Sequence, residues 1–120
     1  MHYIDLNSIT EEHVCGHWEV FSRALGGTAA SVFSDIRIIE IRPGHYRSVN
    51  GKERTGEWQV VREDRIIYNP QLKFFIDGQQ VGNAIITRLL SERSAGGCVH
   101  KLTLYFSTGL ELLLHKKDNS

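Results

Sequence analysis

Apolar and polar positions alternate with a period of two along most of the chain. Successive side chains of a β-strand point to opposite faces of a sheet, so each alternating set predicts a strand with one buried face. The sets are, in chain order, Trp18 with Val20, Trp58 with Val60, Leu102 with Leu104 and Phe106, and Leu112 with Leu114. We expect these side chains to line the interior of the protein.

Turn signals divide the chain into short strands. Asn50-Gly51 is a strong hairpin signal, and Pro43-Gly44 and Thr108-Gly109 are typical of turns. The predicted strands are 17–24, 34–42, 45–49, 54–62, 65–68, 73–77, 80–90, 99–107 and 110–116. Short strands in unbroken succession predict an antiparallel meander, and closing a meander into a barrel removes its exposed edges.

A short helix is predicted before the first strand. Ser8-Ile9-Thr10-Glu11 has the spacing of a capping box, with Ser8 as the N-cap. The helix should span 8–14, and Gly16 should end it. After the first strand, the small residues of 25–31 predict an exposed connection.

Two segments are apolar in both phases of the alternation. Ile36 and Ile38 share one phase while Ile39 and Ile41 share the other, and the segment from Ile85 to Leu90 shows the same property. Either a bulge in each strand changes the face to which the following side chains point, or both faces are covered by the helix or by a second subunit. Because the net charge is zero and gives little mutual repulsion, we expect a homodimer.

Length and composition predict one globular domain over residues 1–120, since 41% of the residues are hydrophobic and 23% are charged. Fourteen basic residues balance fourteen acidic ones, which disfavours nucleic acid and anionic membranes as partners. The start of the chain does not resemble a signal peptide, and no apolar run reaches membrane-spanning length. We therefore expect a cytoplasmic protein.

The order of four short motifs resembles that of the bacterial lipocalin-like domains. They are Gly16-His17-Trp18, Arg42-Pro43-Gly44-His45-Tyr46, Gly56-Glu57-Trp58 and a closing hairpin over 101–116. The resemblance spans residues 14–117. It implies a small antiparallel up-and-down β-barrel of about eight strands with a short N-terminal helix. It also implies that Trp18 sits at the base of the barrel beside a basic side chain such as Lys116.

Two hypotheses about function follow. The first is a non-enzymatic module that binds a small apolar or amphipathic molecule inside the barrel, favoured by the small residues Gly82-Asn83-Ala84. Its candidate walls are Trp18, Tyr46, Trp58, Tyr68, Phe75, Tyr105 and Phe106. The second is a filled barrel that acts through its surface as a dimeric interaction module, because about eight strands enclose little more than their own side chains.

Catalytic and metal chemistry have weaker signals. An isomerase or lyase would need an inward Glu, Arg or Tyr, for which Arg37, Tyr46, Glu57, Tyr68 and Arg88 have the right chemistry. Pairing of the first and last strands would bring His17 and His115 together, but no third ligand is evident. Cys15 and Cys98 match no metal or redox motif and are expected to be thiols. We therefore predict no cofactor and no metal.

Overall fold

The computed structural model describes residues 2–3, 9–25, 36–49, 52–61, 70–94 and 97–118. These residues form one short helix and an antiparallel sheet. The elements are β1 (His2–Tyr3), α1 (Glu11–Val14), β2 (Gly16–Leu25), β3 (Ile38–Arg42), β4 (His45–Val49), β5 (Glu53–Val61), β6 (Gln71–Ile76), β7 (Gln79–Ser94), β8 (Gly97–Phe106) and β9 (Leu110–Asp118).

The sheet closes on itself. Each strand from β2 to β9 pairs with the next one along the chain, and β9 returns to pair with β2. The two-residue β1 adds to one edge of β7, where Tyr3 is opposite Leu90. The predicted eight-stranded up-and-down barrel with a short helix is thus confirmed. Helix α1 lies at one end, which we call the base, and the turns after β6 and β8 lie at the other, the upper end.

The interior is filled by the side chains of the barrel. The buried core residues, each exposing 3% or less of its surface, are Ile9, Val14, Trp18, Ile36, Ile39, Ile41, Tyr46, Trp58, Leu72, Phe74, Ala84, Ile86, Leu89, Leu102, Leu104, Phe106, Leu110, Leu112 and Leu114. Val20 and Val60 are half-buried and pack against them. A side chain with no accessible surface has no room beside it for a water-sized sphere, so this core is close-packed.

Irregularities in two strands explain the segments that are apolar in both phases. Ile36 precedes β3, and the chain bends at Arg37, whose carbonyl accepts a hydrogen bond from the Val20 amide. In β7 the register shifts between Ile86 and Arg88, which lets both Ile86 and Leu89 face inward. The bulge interpretation therefore accounts for most of this apolar surface without a second subunit.

Helix α1 begins later than the sequence predicts. Thr10 is its N-cap, and the Thr10 amide donates to Nδ1 of His13 at 3.0 Å. The predicted N-cap Ser8, the 65–68 strand and the Asn50-Gly51 turn lie outside the described residues. Within the described part of the chain, no helix is long and apolar enough to cross a bilayer.

Candidate functional site

The base of the barrel is closed by Trp18 and Lys116. Trp18 is fully buried, and its indole N–H donates to the carbonyl of Val14 in α1 at 2.7 Å. The Lys116 ammonium lies 4.6 Å from the centre of the Trp18 ring and donates to the Cys15 carbonyl at 2.8 Å. A cation over an indole face is attracted by the ring quadrupole. This contact joins the first and last barrel strands to the helix, as the resemblance implied.

Gly16 makes room for this contact. Its φ of 145° is one that residues with a side chain rarely adopt. A Cβ at Gly16 would also collide with the aliphatic stem of Lys116. The first glycine of the Gly-x-Trp motif therefore lets the lysine cross the barrel base.

The second Gly-x-Trp motif is also structural. The indole N–H of Trp58 donates to the Arg42 carbonyl at 2.6 Å, which ties β5 to the end of β3. Tyr46 pairs with Gly56, and a Cβ on Gly56 would meet the Tyr46 ring and the Phe75 carbonyl. The missing side chain thus lets an aromatic ring and a neighbouring backbone approach closely.

Three aromatic rings form a contiguous row inside the barrel. Tyr46 meets the edge of Phe74 at 5.1 Å between centroids, and Phe74 stacks with Phe106 at 6.2 Å. Tyr46 and Phe106 were predicted as interior walls, whereas Phe74 was missed. The period-two repeat of Leu72 and Phe74 signals the buried face, but the predicted strand began one residue after Leu72.

The remaining predicted wall residues lie elsewhere. Tyr105 is 45% exposed and lies outside the barrel, because it is out of phase with its buried neighbours Leu104 and Phe106. Its placement as an interior wall was wrong. Phe75 is half-buried and follows the inward-facing Phe74 in β6. Tyr68 lies outside the described residues.

A cleft of about 230 Å³ lies at the upper end, where β7 runs past the last residue of β8. This upper cleft is lined by Gln80, Val81, Gly82, Asn83, Phe106, Ser107 and Thr108. The Ser107 amide donates to the Asn83 carbonyl at 3.0 Å and holds the turn against β7. Asn83 and Thr108, two of these lining residues, each have a solvent-shielded oxygen, Oδ1 and Oγ1, with no hydrogen-bond partner in the described structure.

A larger groove, of about 610 Å³, follows the outer surface of β3, β4 and β5. Charged side chains line it and pair with one another. Glu40 contacts Nδ1 of His17 at 3.0 Å and a guanidinium nitrogen of Arg47 at 3.1 Å, and Arg47 also contacts Glu53 at 2.5 Å. Hydrogen bonds from His17 and then Arg47 lower the pKa of Glu40. This outer groove is therefore a solvated ion-pair network.

The enzyme hypothesis asks for an inward Glu, Arg or Tyr, and an inward Arg facing an inward Tyr would strengthen it. Tyr46 faces inward, and burial raises its pKa to about 12. Arg37, Glu57 and Arg88 are all exposed and supply no such partner, while Tyr68 lies outside the described residues.

Among the described residues, His17 and His115 are not paired across the seam between the first and last barrel strands. His115 is opposite Glu19, not His17, and it stacks on Phe21 with the ring centroids 4.2 Å apart. No group of three or more His, Cys, Asp or Glu side chains suitable for a metal occurs among the described residues. Cys15 and Cys98 are free thiols, and burial raises the pKa of Cys15.

No family model, no curated protein and no solved structure matches this chain. The class of protein is thus defined by its architecture, a closed eight-stranded antiparallel barrel with a short helix. Its function has to be inferred from its own residues.

Proposed function

We propose that the protein is a lipocalin-like, non-enzymatic binding module that takes a small amphipathic molecule at the upper end of its barrel. The lipocalin-like assignment is supported by the order of the motifs and by the contact of Lys116 with Trp18. The upper cleft carries the assignment of the ligand site, because it combines apolar walls with two unpartnered polar atoms. Small-molecule sites are commonly built in this way.

The polar atoms of the cleft favour a ligand with a hydrogen-bond donor. Oδ1 of Asn83 accepts only, and the Thr108 hydroxyl both donates and accepts. Leaving such an atom shielded from water without a partner costs about 1–3 kcal/mol. If either side chain rotates toward the cleft, a ligand hydroxyl or N–H would offset that cost, while its apolar part would contact Phe106 and Val81. Gly82, which has no side chain, leaves space for this apolar part of the ligand.

The packed core favours this site over the centre of the barrel. Ala84 was a candidate for lining a central cavity, but it faces inward with no exposed surface. A larger residue there would overpack the core and would not report on a cavity. Gly82 lines the cleft itself and is the suitable position for blocking it.

Anilinonaphthalene sulfonate, which carries aromatic rings and an N–H donor, tests the cleft by its fluorescence enhancement. Thr108→Val keeps the shape and removes the hydroxyl, so we expect the Kd to rise about tenfold, equivalent to about 1.4 kcal/mol. The unfolding midpoint should stay equal or rise, because an unsatisfied buried atom is lost. Gly82→Val should abolish binding by filling the cleft. Thr55→Val, in the exposed outer groove, is the matched control.

Native mass spectrometry of freshly purified protein would show the natural ligand as a bound mass. Unchanged probe binding in both Thr108→Val and Gly82→Val would place the ligand site outside the cleft. Loss of binding in Thr55→Val alone would assign the probe to the outer groove.

A further inference from the structure

One face of the barrel exterior carries exposed aromatic side chains. This face, which we call the outer patch, is formed by the outward residues of β7, β8, β9 and β2, four neighbouring strands. Phe21 on β2 is 67% exposed and Tyr105 on β8 is 45% exposed. They are the two large hydrophobic side chains that the described residues leave exposed. Strand β9 separates these two side chains and contributes the half-buried Leu113 to the same face.

Phe21 is displayed by a bulge. The pairing of β2 with β9 shifts register between Val20 and Ser22, and Phe21 is the extra residue. Its ring stacks on His115 with the planes 11° apart. Nε2 of His115 is shielded from solvent and makes no hydrogen bond in the described structure. The bulge thus exposes Phe21 on the barrel exterior, where its ring stacks on that of His115.

A depression of about 280 Å³ lies on the same patch. Its lining residues are Ser22, Ala24, Thr87, Arg88, Thr103, Glu111 and Leu113. Arg88 stands on β7 and Glu111 on β9, so the two opposite charges lie on either side of β8. Both side chains are exposed. Apart from these two residues, the depression is lined by small or apolar side chains and threonine.

The geometry points to a second copy of this chain as the occupant of the outer patch. A twofold axis running along β8 exchanges the positions of β7 and β9. Arg88 of each copy then lies over strand β9 of the other, level with Leu113 and two residues from Glu111, and the two Tyr105 rings meet at the axis. An isologous interface must be complementary to itself, and a patch with opposite charges on its two sides meets that requirement.

This interface differs from the one the sequence suggested. The apolar residues Ile39, Ile41, Ile86 and Leu89 lie inside the barrel and cannot contact a partner. The depression on the outer patch and the upper cleft share no lining residue, so different variants test the dimer and the ligand site.

Charge reversal across the interface tests the proposal by sedimentation velocity. Arg88→Glu places two pairs of like charges in the dimer, and so does Glu111→Arg, so each variant alone should be monomeric at concentrations where the wild type is dimeric. Mixing the two variants restores opposite charges at both contacts. The mixture should therefore form a heterodimer.

Two matched controls separate contact from net charge. Arg42→Glu and Glu57→Arg make the same charge changes in the outer groove, on another face of the barrel. Both should dimerise like the wild type. Tyr105→Ala provides a second test that leaves the core intact and should also weaken the dimer.

A monomeric wild type at high micromolar concentration would overturn the proposal. Dimers that persist in Arg88→Glu, Glu111→Arg and Tyr105→Ala would do the same. Co-sedimentation of a monomeric protein with phosphatidylcholine vesicles would assign the patch to a membrane surface instead. Failure of the mixture to form a heterodimer would also contradict the charge pairing.

Discussion

At the scale of single residues, the two tryptophans are anchors and not open walls. Trp18 and Trp58 each expose 3% or less, and each donates its indole N–H to a backbone carbonyl. A buried indole needs such a partner, because its ring is favoured in an apolar core while its N–H group still needs a hydrogen-bond acceptor. Their motif positions are predicted by the sequence, but the carbonyls they bind are known only from the fold.

Truncating Trp18 should be costly. Trp18→Ala removes a large buried ring and is expected to lower the free energy of unfolding by about 3–5 kcal/mol. Urea unfolding curves measure this change. Phe21→Ala is the aromatic control, and it should cost less than about 1 kcal/mol because Phe21 is 67% exposed. Equal effects of the two substitutions would contradict an anchoring role for Trp18.

His115 should make stability depend on pH. Desolvation by burial, and then the nearby Lys101 charge, lowers the pKa of His115 in the folded protein. Below its unfolded pKa of about 6.5 the unfolded chain binds more protons than the folded one. Stability should therefore fall as the pH drops from about 7.5 toward about 5.5, above the range where carboxylates titrate.

Urea midpoints across that pH range measure the His115 effect. His115→Gln should flatten the pH dependence. If the urea midpoint varies with pH equally in the wild type and in His115→Gln, the pH dependence of stability comes from other groups.

At the scale of elements, turn signals and alternation predicted most of the strands within a few residues. The β7 strand, predicted over 80–90, spans Gln79–Ser94. What was missed depends on pairing between strands. The bulges at Phe21 and Thr87 are properties of register, and nothing in the local sequence marks which residue is extra. The exposure of Phe21 could therefore not be predicted, whereas that of Tyr105 follows from the alternation of Leu104 and Phe106. Gly82 and Asn83 were expected inside the barrel but line the cleft at its upper end.

An added side chain at Gly56 should destabilise the contacts between β5 and its neighbouring strands. Gly56→Ala places a Cβ against the Phe75 carbonyl and the Tyr46 ring, where β5 meets its neighbours. Backbone cannot move aside as easily as a flexible side chain, so we expect a loss of about 1–3 kcal/mol. Thermal unfolding curves of the wild type and Gly56→Ala measure this loss of stability. Gln59→Ala, exposed on the same strand, should change stability by less than about 0.5 kcal/mol.

At the scale of the whole molecule, a closed barrel with a packed core places its recognition surfaces outside the centre. The described interior is filled by aliphatic and aromatic side chains, while the upper cleft and the depression on the outer patch retain space for another molecule. Closure also removes the sheet edges that attract other chains. Strand β1 adds to the part of β7 that β6 does not reach, so association through side chains on a face is favoured over strand addition.

The contact between Lys116 and Cys15 has a consequence for how the chain is made. These residues are 101 positions apart, and the strands they join are the first and last of the barrel. A nascent chain emerging from the ribosome cannot close its base until β9 has been synthesised. Until then β2 and β8 each present an unpaired edge, the condition that favours aggregation during folding. The emergence of β9, and not the formation of any single hairpin, is then the step at which the edges of β2 and β8 become paired.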